Sequence, residues 1–448
     1  MTSLEVARHV LQVTFGHPDF RPLQARVVAP LMAGRDVLAV LPTGGGKSVC
    51  FQVPALATRG LTLVVSPLIA LMQDQVGALY ARGVEAVAFN STVSRESQDA
   101  ALMAASAGTL RLLYTSPERL TRLADELVAR RIPVTRLAVD EAHCIVEWGH
   151  DFRPSYRALR AAREAVGGPQ CIALTGSATP EVRNEIASAL ALRPNTATIV
   201  GSFDRPNLRF DVVPVSGRDD RLAKLVVLVR ASRDPAIVYA PTRGLVDGLT
   251  RVLREAGVDA SPYHAGMTPD ERRSTLERFL GDDLRVVVAT CAFGMGIDKP
   301  DVRLVVHWSS PGTPESYYQE AGRAGRDGGA SRCVLLHHPA DDVTPRQQLD
   351  VTFPPERLVE RAWADPSLRA RQPAGVVASI DRLSAELRPD RGRVNWQGVR
   401  RRKREAERRL TAMMRYATAR ECRRRMLIGW FGETLRRCSG CDRCSSRS

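Results

Sequence analysis

The sequence predicts an α/β protein: two tandem doubly wound parallel-sheet lobes followed by a small helical module. Three observations carry that prediction. Short apolar runs without polar alternation recur over the first 340 residues, as strands covered by helices on both faces require. Helix-compatible stretches such as 67–81 and 270–280 lie between them. Polar and glycine-rich segments follow the runs, where the carboxyl ends of parallel strands gather ligands.

In chain order the runs are 37–41, 61–65, 110–114, 137–139, 171–174, 236–239, 286–289 and 304–306. Specialised turns follow five of them, at 42–48, Ser66-Pro67, 140–143, 175–179 and 290–298. A polar, proline-containing join at 202–217 divides the runs five and three, which places the lobes at about 1–205 and 206–340. Residues 341–399 hold two candidate helices, 355–364 and 373–387, without an assigned role, and 400–448 form the terminal module.

At 448 residues each lobe can bury its own core, and 44% hydrophobic with 25% charged residues is ordinary for a globular protein. No apolar run approaches the roughly 20 residues a bilayer span needs. The first 13 residues lack the apolar core of a signal peptide, so the expected location is the cytosol. Net charge is +15, of which residues 391–448 carry +13 through 18 basic and 5 acidic side chains. That density points to a polyanionic partner. Leu410, Met413, Met414, Met426, Leu427, Trp430 and Phe431 lie in the same stretch, so it is expected to fold rather than trail as a solvated tail.

Arginine outnumbers lysine sixty to four. Lysine kept against that bias (Lys47, Lys224, Lys299, Lys403) marks candidate sites for a compact point charge rather than a planar fork. Of nine cysteines, Cys50, Cys144, Cys171, Cys291 and Cys333 read as small buried side chains. The other four read Cys422-x15-Cys438-x2-Cys441-x2-Cys444, two overlapping C-x2-C steps that suit a tetrahedral four-thiolate Zn²⁺ site. Residues 400–420 set Leu410, Met413, Met414 and Ala417 on one helical face with arginines elsewhere, so a helical hairpin offering arginine to phosphates is expected.

Residues 41–48 (LPTGGGKS) join a strand to a helix-compatible segment. Glycines at such a place let backbone N–H groups curl around phosphate oxygens at a helix N-terminus. Thr43, Gly44, Gly45 and Gly46 are the candidate cradle for ATP, Lys47 the cation for its β and γ phosphates, and Ser48 a Mg²⁺ ligand. Leu41 stands where the general phosphate-loop pattern has glycine. Some ninety residues on, a strand ends in Asp140-Glu141-Ala142-His143. Phosphoryl transfer through Mg²⁺ needs one carboxylate for the metal and one base to orient water, here Asp140 and Glu141.

With these residues in view, the chain resembles the RecQ family of DNA helicases. Residues 140–154 (DEAHCIVEWGHDFRP) are similar to that family's DEAH box and aromatic-rich loop, and 15–24 (FGHPDFRPLQ) to its adenine-recognition motif. Residues 64–76, 177–179, 203–208, 263–267, 289–300 (ATCAFGMGIDKP) and 317–328 (YYQEAGRAGRDG) resemble further motifs in family order. The likeness spans about 8–340 and resumes at about 404–444. It implies two RecA-like lobes, a helical zinc-binding module with four cysteine ligands, and ATP-dependent 3′→5′ unwinding of DNA. Single-stranded and forked or duplex DNA are the partners it implies.

Residue by residue, the resemblance implies that Arg21 stacks on adenine, Gln24 pairs with its edge, and Gly296 and Asp298 join the nucleotide site. It makes Arg326 the arginine finger with Arg323 beside it, and His143 and Gln319 the groups coupling the lobes. Trp148, Phe152 and Arg153 fall on the DNA-sensing loop; on sequence alone Trp148 fits a core position equally well. The chain departs from the pattern at His17, Val146 and Glu147 and in the 341–399 segment. The resemblance implies a winged-helix domain after the zinc site; residues 445–448 are too few to supply it, so the strand-separating element is expected to be unassigned within 1–448. An RNA helicase on the same scaffold, or an ATP-switched DNA-binding or strand-annealing protein, are the competing readings.

Overall fold

Strands form where apolar runs can be covered on both faces. The computed structural model describes residues 2–42, 44–89, 93–145, 158–294, 299–387 and 394–444. Thr43, Trp148, Phe152, Arg153, Gly296 and Asp298 therefore lie outside the described residues.

The first compact unit comprises residues 1–205, 294–298 and 428–434. Its strands are β1 (Val37–Val40), β2 (Leu61–Val65), β3 (Ala86–Phe89), β4 (Leu112–Thr115), β5 (Val134–Val139), β6 (Gln170–Thr175) and β7 (Ala197–Val200). They form one parallel sheet in the order β3-β4-β2-β5-β6-β1-β7. The strands β1, β2 and β4 are buried along their whole length, as the absence of alternation predicts. Buried Asp36, just before β1, clasps the amino end of this sheet. It accepts from Arg163 Nη2 at 2.8 Å, from the Cys171 N–H at 2.8 Å and from the Arg193 N–H at 3.0 Å.

The second unit comprises residues 206–293, 299–427 and 435–448. Its strands are β8 (Leu208–Pro214), β9 (Ala236–Tyr239), β10 (Ala260–Tyr263), β11 (Val286–Ala289), β12 (Leu304–His307) and β13 (Ser331–His337). They too are parallel, in the order β10-β11-β9-β12-β13-β8. The polar join at 202–217 thus contains a strand. β8 runs seven residues beside β13, and its buried Asp211 is held by Arg209 at 3.0 Å and Arg332 at 2.5 Å.

Helices Val343–Thr352, Glu356–Ala364, Pro366–Ala370 and Ala374–Leu387 follow β13. Trp363 stacks on Trp396 with centroids 5.8 Å apart, and Arg400 ion-pairs with Glu356, so this segment packs against the long helix Gln397–Thr418. That helix buries Leu410, Met413 and Ala417 and leaves Met414 half-buried. Four of the five scattered cysteines are buried, but Cys291 is exposed, because it stands just past the end of β11. Among the described residues no helix is long and apolar enough to cross a membrane.

Candidate active site and metal centre

The first unit gathers its chemistry at the carboxyl ends of β1, β5 and β6. β1 runs into the glycine loop, and Ser48 stands as N-cap of the helix Val49–Ala57. Gly44 and Gly46 take left-handed φ values of 80° and 70°, and a Cβ on Gly46 would collide with the Gln24 amide. Gln24 and Arg21 brace this loop. Gln24 Nε2 donates to the carbonyls of Gly45 (3.3 Å) and Gly46 (3.2 Å), and Arg21 Nη1 to that of Gly44 (2.6 Å). The Arg21 N–H in turn donates to Gln24 Oε1, so the two residues expected at adenine also lock each other at the start of the helix Pro22–Met32.

Lys47 Nζ donates to Glu141 Oε1 at 2.7 Å. Glu141 follows β5 with φ 46°, a strained backbone for a residue with a side chain, of the kind that concentrates at functional sites. Its other carboxylate oxygen lies 3.2 Å from His143 Nδ1, which also meets Thr175 Oγ1 at 2.8 Å. The Thr175 hydroxyl donates to the Ser177 carbonyl and accepts from the Ser177 N–H, so His143 is tied to the Ser177-Ala178-Thr179 turn. The sequence places Thr175 in the specialised turn 175–179 but gives it no role; at the last position of β6 it is the partner of His143.

The two carboxylates are driven apart electrostatically. Burial and the neighbouring Glu141 push Asp140 up to about 6, against the pull of Lys47. Burial also opposes charge on Glu141, but Lys47 and His143 more than offset it and hold Glu141 well below the usual carboxylate range. The Lys47 ammonium at 2.7 Å keeps Glu141 ionised. Asp140 and Ser48 offer the hard oxygen donors that Mg²⁺ takes, and the glycine loop with Lys47 suits a polyphosphate.

The second unit holds the other predicted polar set. Gln319 lies on the helix Pro314–Ala321, which Thr313 caps by accepting from the Ser316 N–H. Arg323 (buried) and Arg326 (partly buried) stand in the turn just beyond it. Asn207 Nδ2 pins this turn by donating to the carbonyls of Gly325 (2.8 Å) and Gly329 (2.9 Å). Arg303 grips Asp327 in a bidentate pair at 2.9 and 2.5 Å, which holds the Asp327 carboxyl down at about 2.

Cys422, Cys438, Cys441 and Cys444 converge, their sulfurs all within 4.8 Å of one another and those of Cys422 and Cys441 3.9 Å apart. Four thiolates at about 2.3 Å from one Zn²⁺ would sit about 3.8 Å apart, so the cluster fits zinc with no vacant position for chemistry. Cys441 bridges to Phe210 of β8. Not all the basic charge here faces outward. Arg423 and Arg424 are fully buried: Arg423 pairs with Asp442 and donates to the Tyr416 carbonyl, and Arg424 donates to the Leu208 carbonyl. Arg401, Arg404, Arg420 and Arg425, by contrast, are exposed.

Comparison with known proteins agrees with this geometry. Residues 21–186 match the description DEAD/DEAH box helicase, 218–328 the helicase conserved C-terminal domain, and 383–445 the RecQ zinc-binding domain. The ATP-dependent DNA helicase RecQ of Bacillus subtilis is 44% identical over 345 residues, covering 77% of this chain and 58% of that protein. RecQ of Pasteurella multocida is 36% identical over 441 residues, covering 98% and 62%. The probable ATP-dependent DNA helicase RecS of Bacillus subtilis is 38% identical, covering 76% and 68%. The chain thus spans about 60% of the length of the RecQ relatives it matches. Among solved structures, Mycobacterium smegmatis helicase Lhr bound to ssDNA and AMP-PNP superposes with a TM-score of 0.59 at 23% identity, covering 77% of this chain and 49% of that one, a likeness of fold.

Proposed function

The chain belongs to the RecQ family of DNA helicases, and we propose that it couples ATP hydrolysis to 3′→5′ translocation on single-stranded DNA and to unwinding of forked or duplex DNA, in DNA repair, recombination or replication. The observation that carries this reading is the Lys47–Glu141 contact beside Asp140, which joins the glycine loop after β1 to the carboxylates after β5. A phosphate cation, a metal carboxylate and a general base at one strand-end cluster are what phosphoryl transfer to water requires.

On this reading Thr43 to Gly46 cradle the phosphates, Lys47 holds the β and γ oxygens, and Ser48 and Asp140 hold Mg²⁺. Bound MgATP supplies the phosphoryl group and neutralises part of its charge. Glu141 accepts a proton from the attacking water, and His143 ties that base to the Ser177 turn through Thr175. Arg21 and Gln24 read adenine while bracing the loop, with Gly296 and Asp298 completing the nucleotide site. Arg326 is the arginine finger and Arg323 its support, with Gln319 and His143 relaying nucleotide state between lobes. Trp148, Phe152 and Arg153 sense the DNA strand by stacking and phosphate contact.

Residues 1–205 and 206–340 serve as the two motor lobes and 400–448 as the zinc module, the zinc-binding match beginning at 383 within the 341–399 segment. The protein works in the cytosol, on the nucleoid. Unwinding of forked and tailed duplexes of both polarities, with and without ATP, tests the proposal. Unwinding only from a 3′ tail and only with ATP is expected. ATP-independent annealing without unwinding, or stimulation of the ATPase by RNA in preference to DNA, would replace it with one of the competing readings.

A further inference from the structure

Within the second unit, the long helix Gln397–Thr418 packs on Pro314–Ala321, the helix that leads into Arg323 and Arg326. Two contacts make that packing specific. Arg409 Nε lies 3.6 Å from Glu315 Oε1, and both residues are more than nine-tenths buried. Tyr416 donates its hydroxyl to that of Tyr317 at 3.3 Å, with the rings 5.1 Å apart. From Tyr317 the packing continues without a gap. Its ring meets His307 at 4.8 Å; His307 Nε2 meets Glu320 Oε2 at 2.8 Å; and the His307 ring stacks on Tyr239 at 5.4 Å. Tyr239 donates to the Phe293 carbonyl at 2.7 Å, and the Arg323 guanidinium lies near enough to act electrostatically on its hydroxyl.

We propose that Tyr416 and Arg409 are positioning residues for Arg323 and Arg326, so that the helix leading into the zinc site sets the geometry of phosphoryl transfer and not DNA affinity alone. The inference rests on the reading of Arg326 as the arginine finger. Its physical basis is that a finger contributes only when its guanidinium meets the transferring phosphoryl group, and a misplacement of about 1 Å costs on the order of 10²-fold in rate. Tyr317 and Glu315 fix the helix before the finger from behind, and each has a partner on the long helix. Asn207 pins the far side of that turn through the Gly325 and Gly329 carbonyls, which leaves the helix Pro314–Ala321 as the side whose backing comes from the long helix.

The test uses the full chain with zinc bound. Tyr416→Leu and Arg409→Gln are each expected to lower kcat for ATP hydrolysis at saturating single-stranded DNA by about ten- to a hundredfold. KM for ATP, DNA affinity and zinc content should stay within about twofold, a split that a merely structural role would not produce. Affinity for ADP with aluminium fluoride should fall by the same factor as kcat, while affinity for a non-hydrolysable ATP analogue holds. Tyr416→Phe and Arg409→Lys, which keep the ring and the charge, should restore most of the rate. If Tyr416→Leu loses zinc, the Arg409 pair decides. Arg326→Ala is measured alongside: normal kcat there overturns the finger reading itself. A drop of kcat in Arg326→Ala, with wild-type kcat in Tyr416→Leu and Arg409→Gln, overturns the positioning role alone. So does a drop in both that appears only together with weakened DNA binding.

Discussion

Lys47 and Glu141, 94 residues apart in sequence, meet at 2.7 Å with most of each side chain out of solvent. The sheet makes the meeting possible: both residues leave carboxyl ends of parallel strands, and only β6 separates β1 from β5. Each charge is the other's compensation for burial, so the pair couples the phosphate loop to the base.

Glu141→Gln should therefore uncouple binding from hydrolysis. The amide keeps the shape but accepts no proton, and loss of a general base lowers rate by about 10² to 10⁴. Equilibrium binding of ATP should survive because the loop and its Gln24 brace are untouched. Steady-state hydrolysis beside nucleotide titration checks this, and turnover within tenfold of wild type would remove Glu141 from its role.

Lys47→Ala should cost on the order of 10² to 10³ in turnover, as removal of one preorganised charge does. Lys47→Arg should fail as well, since a planar fork cannot occupy the ammonium's position between loop and carboxylate. The comparison that matters is kcat of the arginine variant. Near-normal activity in it would mean that any cation suffices.

Asp36→Ala should destabilise the first unit by roughly 3–5 kcal/mol, because Arg163 is then left charged and buried without its partner. Replacing both residues together should recover part of the deficit. Urea unfolding followed by probes specific to the first unit reads this out. A shift equal in the single and double variants would show that the ion pair carries no coupling.

How much of this is legible in the sequence depends on where a residue sits in its sheet. The eight apolar runs all form strands. Five further strands are not among those runs: β13 hides an equally plain run at 333–336, and the other four, β3, β7, β8 and β10, are sheet edges. An edge strand is covered on fewer sides and tolerates polar residues and proline; β10 contains Pro262 and β8 contains Arg209 and Asp211. The nucleotide and zinc residues are legible because their chemistry imposes fixed spacing. Tyr317, His307 and Tyr416 are not, since packing between distant elements imposes none. The rarity of lysine is informative in three cases. Lys47, Lys224 and Lys299 each place an ammonium on a carboxylate, and buried Lys299 reaches both Asp282 and Asp301.

Cys441→Ser should release zinc and loosen residues 400–444, because metal binding supplies much of the stability of so small a module. DNA affinity should weaken, and its dependence on salt should flatten by about one unit of slope for each phosphate no longer neutralised. The +13 excess overstates those phosphate interactions, since Arg423 and Arg424 are internal. Arg401, Arg404, Arg420, Arg425, Arg436 and Arg437 are exposed side chains whose single replacement should change the slope. Identical slopes for the wild type and the cysteine variant would confine the zinc site to a structural clasp.

The strand order of the first sheet has a consequence for how the protein is made. β1, which delivers the glycine loop, pairs only with β6 and β7, whose residues begin at 170 and 197. While the ribosome has produced only the first hundred residues or so, β1 has no strand to pair with and its backbone hydrogen bonds to the sheet cannot form. The nucleotide pocket thus closes among the last events in the birth of this unit, and an emerging chain cannot use ATP before nearly all of the first lobe has been translated.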